Sequence, residues 1–189
     1  MILIHARGMG AAPMLELARV LALDGVHYVV PQAANGTWYP QRFTAPLEQN
    51  EPWLTFALEA CDAVVGRLAA DAWPPERVAL VGFSQGACLT LEYVARHPRR
   101  YGAVAALTGG LIGPDGALTR PAASLDGTPL LITTAEGDDW VPPARTRESA
   151  EILAAAGADV DARVYGPGPH TVREDEVAAT RELLRPRVS

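Results

Sequence analysis

Short apolar runs alternate with helical patterns along the whole chain, and that alternation admits few folds. The runs are Ile2–His5, His27–Pro31, Val78–Phe83, Ala103–Thr108, Leu130–Thr134 and Val160–Tyr165. The helical patterns are Met14–Ala22, Trp53–Ala72, Gly86–Arg96, Pro143–Ala156 and Val172–Leu184. In the second of these, Leu54, Leu58, Cys61, Val65 and Leu68 recur at helical spacing, while Glu59, Asp62 and Arg67 fall off the stripe. Asn50 is placed to cap that helix, and Gly157 to end Pro143–Ala156. Strands that are apolar nearly throughout, separated by helices, imply a parallel sheet covered on both faces. The chain reads as a single α/β domain over residues 1–189, with about six mostly parallel strands. Ligands of such sheets bind beyond the carboxyl ends of the strands. Chemistry is therefore expected just after His5, Pro31, Phe83, Thr108, Thr134 and Tyr165.

Composition narrows the function. The net charge is −6, so a nucleic-acid partner is not expected. No apolar run approaches the ~18 residues of a membrane span, and Met1–His5 lacks the basic start of a signal peptide. The reading is a cytoplasmic protein with no membrane partner. All 16 basic residues are arginine, which excludes lysine-based catalysis. No basic run points to an anionic substrate group. Cys61 and Cys88 fall in helical patterns and read as buried thiols.

The most specific motif is Gly82-Phe83-Ser84-Gln85-Gly86, which follows a strand and opens a helix. This is the G-x-S-x-G pattern of a nucleophile elbow: a tight turn lifts the serine hydroxyl above the sheet, and flanking glycines let strand and helix approach. A nucleophilic serine needs a base and a group to orient it. Of the four histidines, only His170, in Gly166-Pro167-Gly168-Pro169-His170, lies near the expected site and follows the serine in the Ser…Asp…His order. The acid should come from Ala135–Pro142, where Glu136, Asp138 and Asp139 are all candidates. Asp139 stands nearer the helix that Pro142-Pro143 begins, where a carboxylate can meet free N–H groups. An oxyanion hole should combine the Gln85 N–H with one from His5-Ala6-Arg7-Gly8-Met9-Gly10. That loop has neither a P-loop nor a dinucleotide fingerprint, and the histidines lack ligand spacing. No cofactor and no metal are expected.

Taken together, these motifs resemble the phospholipase/carboxylesterase family of small α/β-hydrolases, which includes the acyl-protein thioesterases. His5-Ala6-Arg7-Gly8 resembles its H-G-x-G, Gly82–Gly86 its G-F-S-Q-G, Asp138-Asp139-Trp140-Val141-Pro142 its D-x-x-V-P, and Pro169-His170 its histidine loop. The resemblance implies a trimmed α/β-hydrolase fold. It implies Ser84 as nucleophile, Asp138 as orienting acid, His170 as base, and the backbone N–H groups of Arg7 and Gln85 as the oxyanion hole. Ala6 and Ala135 stand where the family usually has glycine. The implied activity is hydrolysis of carboxylic esters or thioesters of small to medium acyl groups, with no cofactor. A lactone hydrolase or peptidase on the same triad, or a non-catalytic binding module, are the alternatives.

Trp38 and Tyr39 sit in the long loop after the second run, and Trp140 beside the acids, so all three are candidate substrate-binding residues. The same aromatics could instead cover a sheet edge or a contact with a second copy, so a homodimer stays open. Gly109–Thr128 is rich in Gly, Pro and Ala and not amphipathic, so no cap domain is expected.

Overall fold

The computed structural model describes residues 1–185. Five strands form one parallel sheet in the order of the chain: β1 Ile2–Ile4, β2 Ala79–Phe83, β3 Ala103–Leu107, β4 Pro129–Ala135 and β5 Asp159–Tyr165. The helices are α1 Ala11–Leu21, α2 Trp53–Ala70, α3 Gln85–Arg96, α4 Pro143–Ala155 and α5 Glu174–Leu184. Side chains alternate across the sheet. Leu80, Val104, Ala106, Leu130 and Ile132 pack with α2, α3 and α4, and Val81, Phe83, Ala105, Leu107 and Leu131 with α1 and α5. Both faces are covered, which is why the central strands are apolar at every position. The Gly109–Thr128 stretch forms no helix and no cap.

Two local expectations are corrected. The run His27–Pro31 contributes a single parallel bridge, Ile2 with Val29, instead of a sixth strand. Val29 accepts from Leu3 N–H and donates to Met1 O, each at 2.9 Å, and pairing stops there. The edge of β1 is only three residues long, and Pro31 has no N–H to extend the ladder. Asn50 does not cap α2: its side chain is turned back, accepting from Gln41 N–H at 2.8 Å and donating to Arg42 O at 3.2 Å. It shapes the loop beside the site instead.

The bridge still sets the topology. After β1 the chain passes to one side to reach Val29, then returns to lay β2 on the other side of β1. Connections that diverge from adjacent strand ends open a crevice there. The loops after β1 and β2, residues 5–10 and the Ser84 turn, line it.

Candidate active site

Ser84 joins β2 to α3 with φ 53° and ψ −116°, a region costly for any side chain. Two glycines make the turn possible. A Cβ on Gly82 would lie 2.3 Å from Gly86 O, and one on Gly86 would lie 2.1 Å from Ile4 O. Strand, helix and β1 therefore meet backbone to backbone. The Ser84 N–H donates to Leu107 O at 3.0 Å, which ties the strained turn to β3.

The loop after β5 brings His170 over the turn. Its Nε2 is 2.8 Å from Ser84 Oγ, and its Nδ1 is 2.7 Å from Asp138 Oδ2. The rings of Phe83 and Trp140 lie 5.4 and 6.2 Å from the imidazole. Asp138 is buried and accepts the N–H groups of Trp140 and Val141 at 2.9 and 2.8 Å through Oδ1. Burial pushes its pKa up, but the hydrogen bond from His170 and the N–H of Val141 outweigh it and hold the carboxyl below its ordinary value. With an ionised Asp138 accepting at Nδ1, the ring proton belongs on Nδ1, and Nε2 is free to accept from the serine. The other two carboxylates lie elsewhere. Glu136 is exposed and pairs with Arg147 at 3.3 Å. Asp139 does not cap α4, which has no side-chain cap at all: the N-cap position is held by Pro142, whose side chain has no acceptor.

Opposite His170, the loops carrying Arg7 and Gln85 are tied to residues 37–41. Arg7 donates to the carbonyls of Tyr39, Pro40 and Gln41 at 2.8, 2.8 and 2.6 Å. Gln85 Nε2 also donates to Tyr39 O, at 2.8 Å, and its Oε1 accepts the Trp38 N–H at 3.1 Å. Among the described residues nothing accepts the backbone N–H of Arg7 or of Gln85. Neither Ala6 nor Ala135 has a positive φ, so alanine fits where glycine is usual.

The three candidate substrate residues divide. Tyr39 and Trp140 line an open cleft of about 500 Å³ that also holds Ser84, His170 and Phe43. Trp38 does not line it: its buried indole donates to His5 O at 2.8 Å and lies against the His5 ring. His5 is fully buried and accepts the Ala33 N–H on Nε2 at 3.0 Å, which leaves Nδ1–H for Ala6 O at 2.8 Å. It braces the loop and does not face the serine. Cys88 also borders the cleft, but burial pushes its thiol up to about 12, so it offers no thiolate.

Two residues beside the site carry no sequence motif. Glu176, fully buried in the first turn of α5, accepts from Thr108 Oγ1 at 3.2 Å, from Thr133 Oγ1, and from Arg173 N–H at 3.0 Å. It pins the end of the His170 loop to the ends of β3 and β4. Its place three residues after Arg173 matches only the glutamate half of a capping box, too weak a signal to single it out. Arg42 donates to Asp139 O at 2.7 Å and lies over the Trp140 ring.

A family model described as Phospholipase/Carboxylesterase matches residues 1–186. The crystal structure of a phospholipase/carboxylesterase from Dyadobacter fermentans is similar with a TM-score of 0.92 and 42% identity, over 96% of this chain and 87% of that one. A probable carboxylesterase of Oryza sativa is 27% identical over 137 residues, 72% of this chain and 52% of that protein. Acyl-protein thioesterase 1 of Gibberella zeae is 29% identical over 113 residues, 59% of this chain and 48% of that protein. The chain spans about half the length of these curated relatives. No helix among the described residues is long and apolar enough to cross a membrane.

Proposed function

The chain belongs to the phospholipase/carboxylesterase family, and on that footing we propose that it hydrolyses carboxylic esters, or thioesters, of small to medium acyl groups through an acyl-enzyme on Ser84. The observation that carries this reading is the unbroken series Asp138–His170–Ser84, with contacts of 2.7 and 2.8 Å, at the top of a strained elbow.

In this reading His170 Nε2 takes the Ser84 proton as Oγ attacks the acyl carbon. Asp138 holds the imidazole in the accepting tautomer and stabilises the imidazolium. The carbonyl oxygen becomes an oxyanion beside the backbone N–H groups of Arg7 and Gln85, each worth roughly 10²–10³ in rate by analogy with other oxyanion donors. The dipole of α3 adds to the same field. Collapse breaks the bond to the leaving alcohol or thiol, which takes the proton from His170. Water, deprotonated by the same histidine, then releases the acid and restores Ser84. A cleft of about 500 Å³, open and uncapped, suits modest acyl groups over long chains.

The test is labelling with a fluorophosphonate. The adduct should map to Ser84 by mass spectrometry, and Ser84→Ala should lose both the label and the turnover of a nitrophenyl ester series. Labelling elsewhere, or full turnover by the variant, overturns the mechanism.

A further inference from the structure

The chain is acidic, with 22 carboxylates against 16 arginines, yet among the described residues no aspartate or glutamate lines the cleft. Two arginines do, Arg7 and Arg42, from loops far apart in sequence. Among the described residues neither guanidinium is ion-paired; both are held by backbone carbonyls, which orient a cation without neutralising it. Arg7 directs three N–H bonds at Tyr39, Pro40 and Gln41 and keeps its remaining donors. Arg42 uses one N–H on Asp139 O and lies 5.5 Å from the Trp140 ring centre, on the wall of the same cleft. The nearest functional carboxylate, Asp138, is covered by His170 and its own loop.

From this convergence we propose that the natural substrate is an ester bearing a compact anionic group, a carboxylate or phosphate, which Arg42 and Arg7 hold at the mouth of the cleft. This rests on the ester-hydrolase reading above and adds the substrate's charge to it. A lone exposed guanidinium gains little from an anion in water. Two that are already oriented, on walls of low dielectric, focus the field and offer planar donors matched to a carboxylate or phosphate. The long side chains are fixed before the anion arrives, so little ordering remains to oppose binding.

Two matched pairs of esters test this. Monomethyl adipate against methyl hexanoate places the charge on the acyl arm, and 4-acetoxybutanoate against butyl acetate places it on the leaving arm. The anionic member of at least one pair should have the higher kcat/KM, by about tenfold. That ratio should shrink as salt rises toward 1 M, where screening is short-ranged. Arg42→Gln should lower the ratio, Arg42→Glu should reverse it, and Arg42→Lys should keep most of it. Arg42 is exposed, so these variants are expected to fold, as melting curves would verify. If neutral esters are cleaved and the ratio is one or less in both pairs, the charge proposal is overturned while the hydrolase reading stands. If no ester is cleaved and Ser84 takes no fluorophosphonate, the hydrolase reading falls and this proposal with it.

Discussion

Gln85 Nε2 donates to the carbonyl of Tyr39 at 2.8 Å, and the Arg7 guanidinium reaches that same oxygen at the same distance. Arg7 and Gln85 are the two residues whose backbone N–H groups we assign to the oxyanion hole. One carbonyl, on a third loop, thus fixes how far apart two donors from separate loops stand.

Gln85→Glu removes the donor and sets a carboxylate against the Tyr39 carbonyl. The backbone N–H of residue 85 remains, so any loss reflects position. The variant is expected to lose about 10²-fold in kcat with a smaller change in KM, and to be destabilised by about 1–3 kcal/mol at this buried site. Steady-state kinetics beside a thermal melt separate the two effects.

Asp138→Asn keeps an oxygen for the Trp140 and Val141 N–H groups but favours the wrong imidazole tautomer. The serine-protease precedent is a loss of order 10⁴ in kcat. Asp139→Asn alters an exposed side chain that caps nothing and should shift stability by less than about 0.5 kcal/mol. The opposite ranking in kcat would move the acid by one residue. Asp138 also has a pH signature. Its folded pKa lies below the ordinary 3.8, so its contribution to stability is complete above that value and is lost as pH falls through the lower folded value. The stability difference between wild type and Asp138→Asn should narrow in acid, as pH falls below the ordinary 3.8 and Asp138 itself takes up a proton. Denaturant melts across that range would reveal it.

Glu176→Ala leaves Thr108, Thr133 and the Arg173 N–H without their acceptor in a fully buried place. The expected cost is about 1–3 kcal/mol, or a fall in Tm of about 2–12 °C for a chain of this size. Because the same carboxylate holds the end of the His170 loop, kcat should fall as well. Glu176→Gln, which keeps one acceptor, should lie between wild type and the alanine variant in both measurements.

Two glycines give opposite outcomes with alanine. Gly86→Ala puts a Cβ 2.1 Å from Ile4 O, with no flexible atom to yield, and should abolish soluble expression or activity. Gly66 lies inside α2 with nothing within 4 Å of its would-be Cβ. Gly66→Ala should raise stability by about 0.5–1 kcal/mol, read as a higher melting temperature at unchanged kcat.

The sequence by itself determined what depends on neighbours a few residues apart. Apolar runs gave the positions of the central strands, because a strand buried on both faces needs an apolar residue at nearly every place, whereas the edge strand β5 exposes Asp159, Asp161 and Ala162. Gly82–Gly86 marked the elbow, because only those glycines admit such a tight turn. His27–Pro31 looked like the other runs, yet its pairing depended on how much of β1 was left to pair with. Asn50 and Asp139 looked like caps, but Pro52 and Pro142, which have no side-chain acceptor, stand at the N-cap positions of the two helices. The rest was decided only in the tertiary structure. Trp38 and Tyr39 are adjacent and both buried, yet the fold sets Trp38 against His5 and Tyr39 in the wall of the cleft. The anchors of Arg7, Gln85 and Arg42 are backbone carbonyls, which every residue possesses and no sequence pattern marks. That two arginines from distant loops share one cleft free of carboxylates follows from where the chain reverses around β1, and no local pattern encodes it.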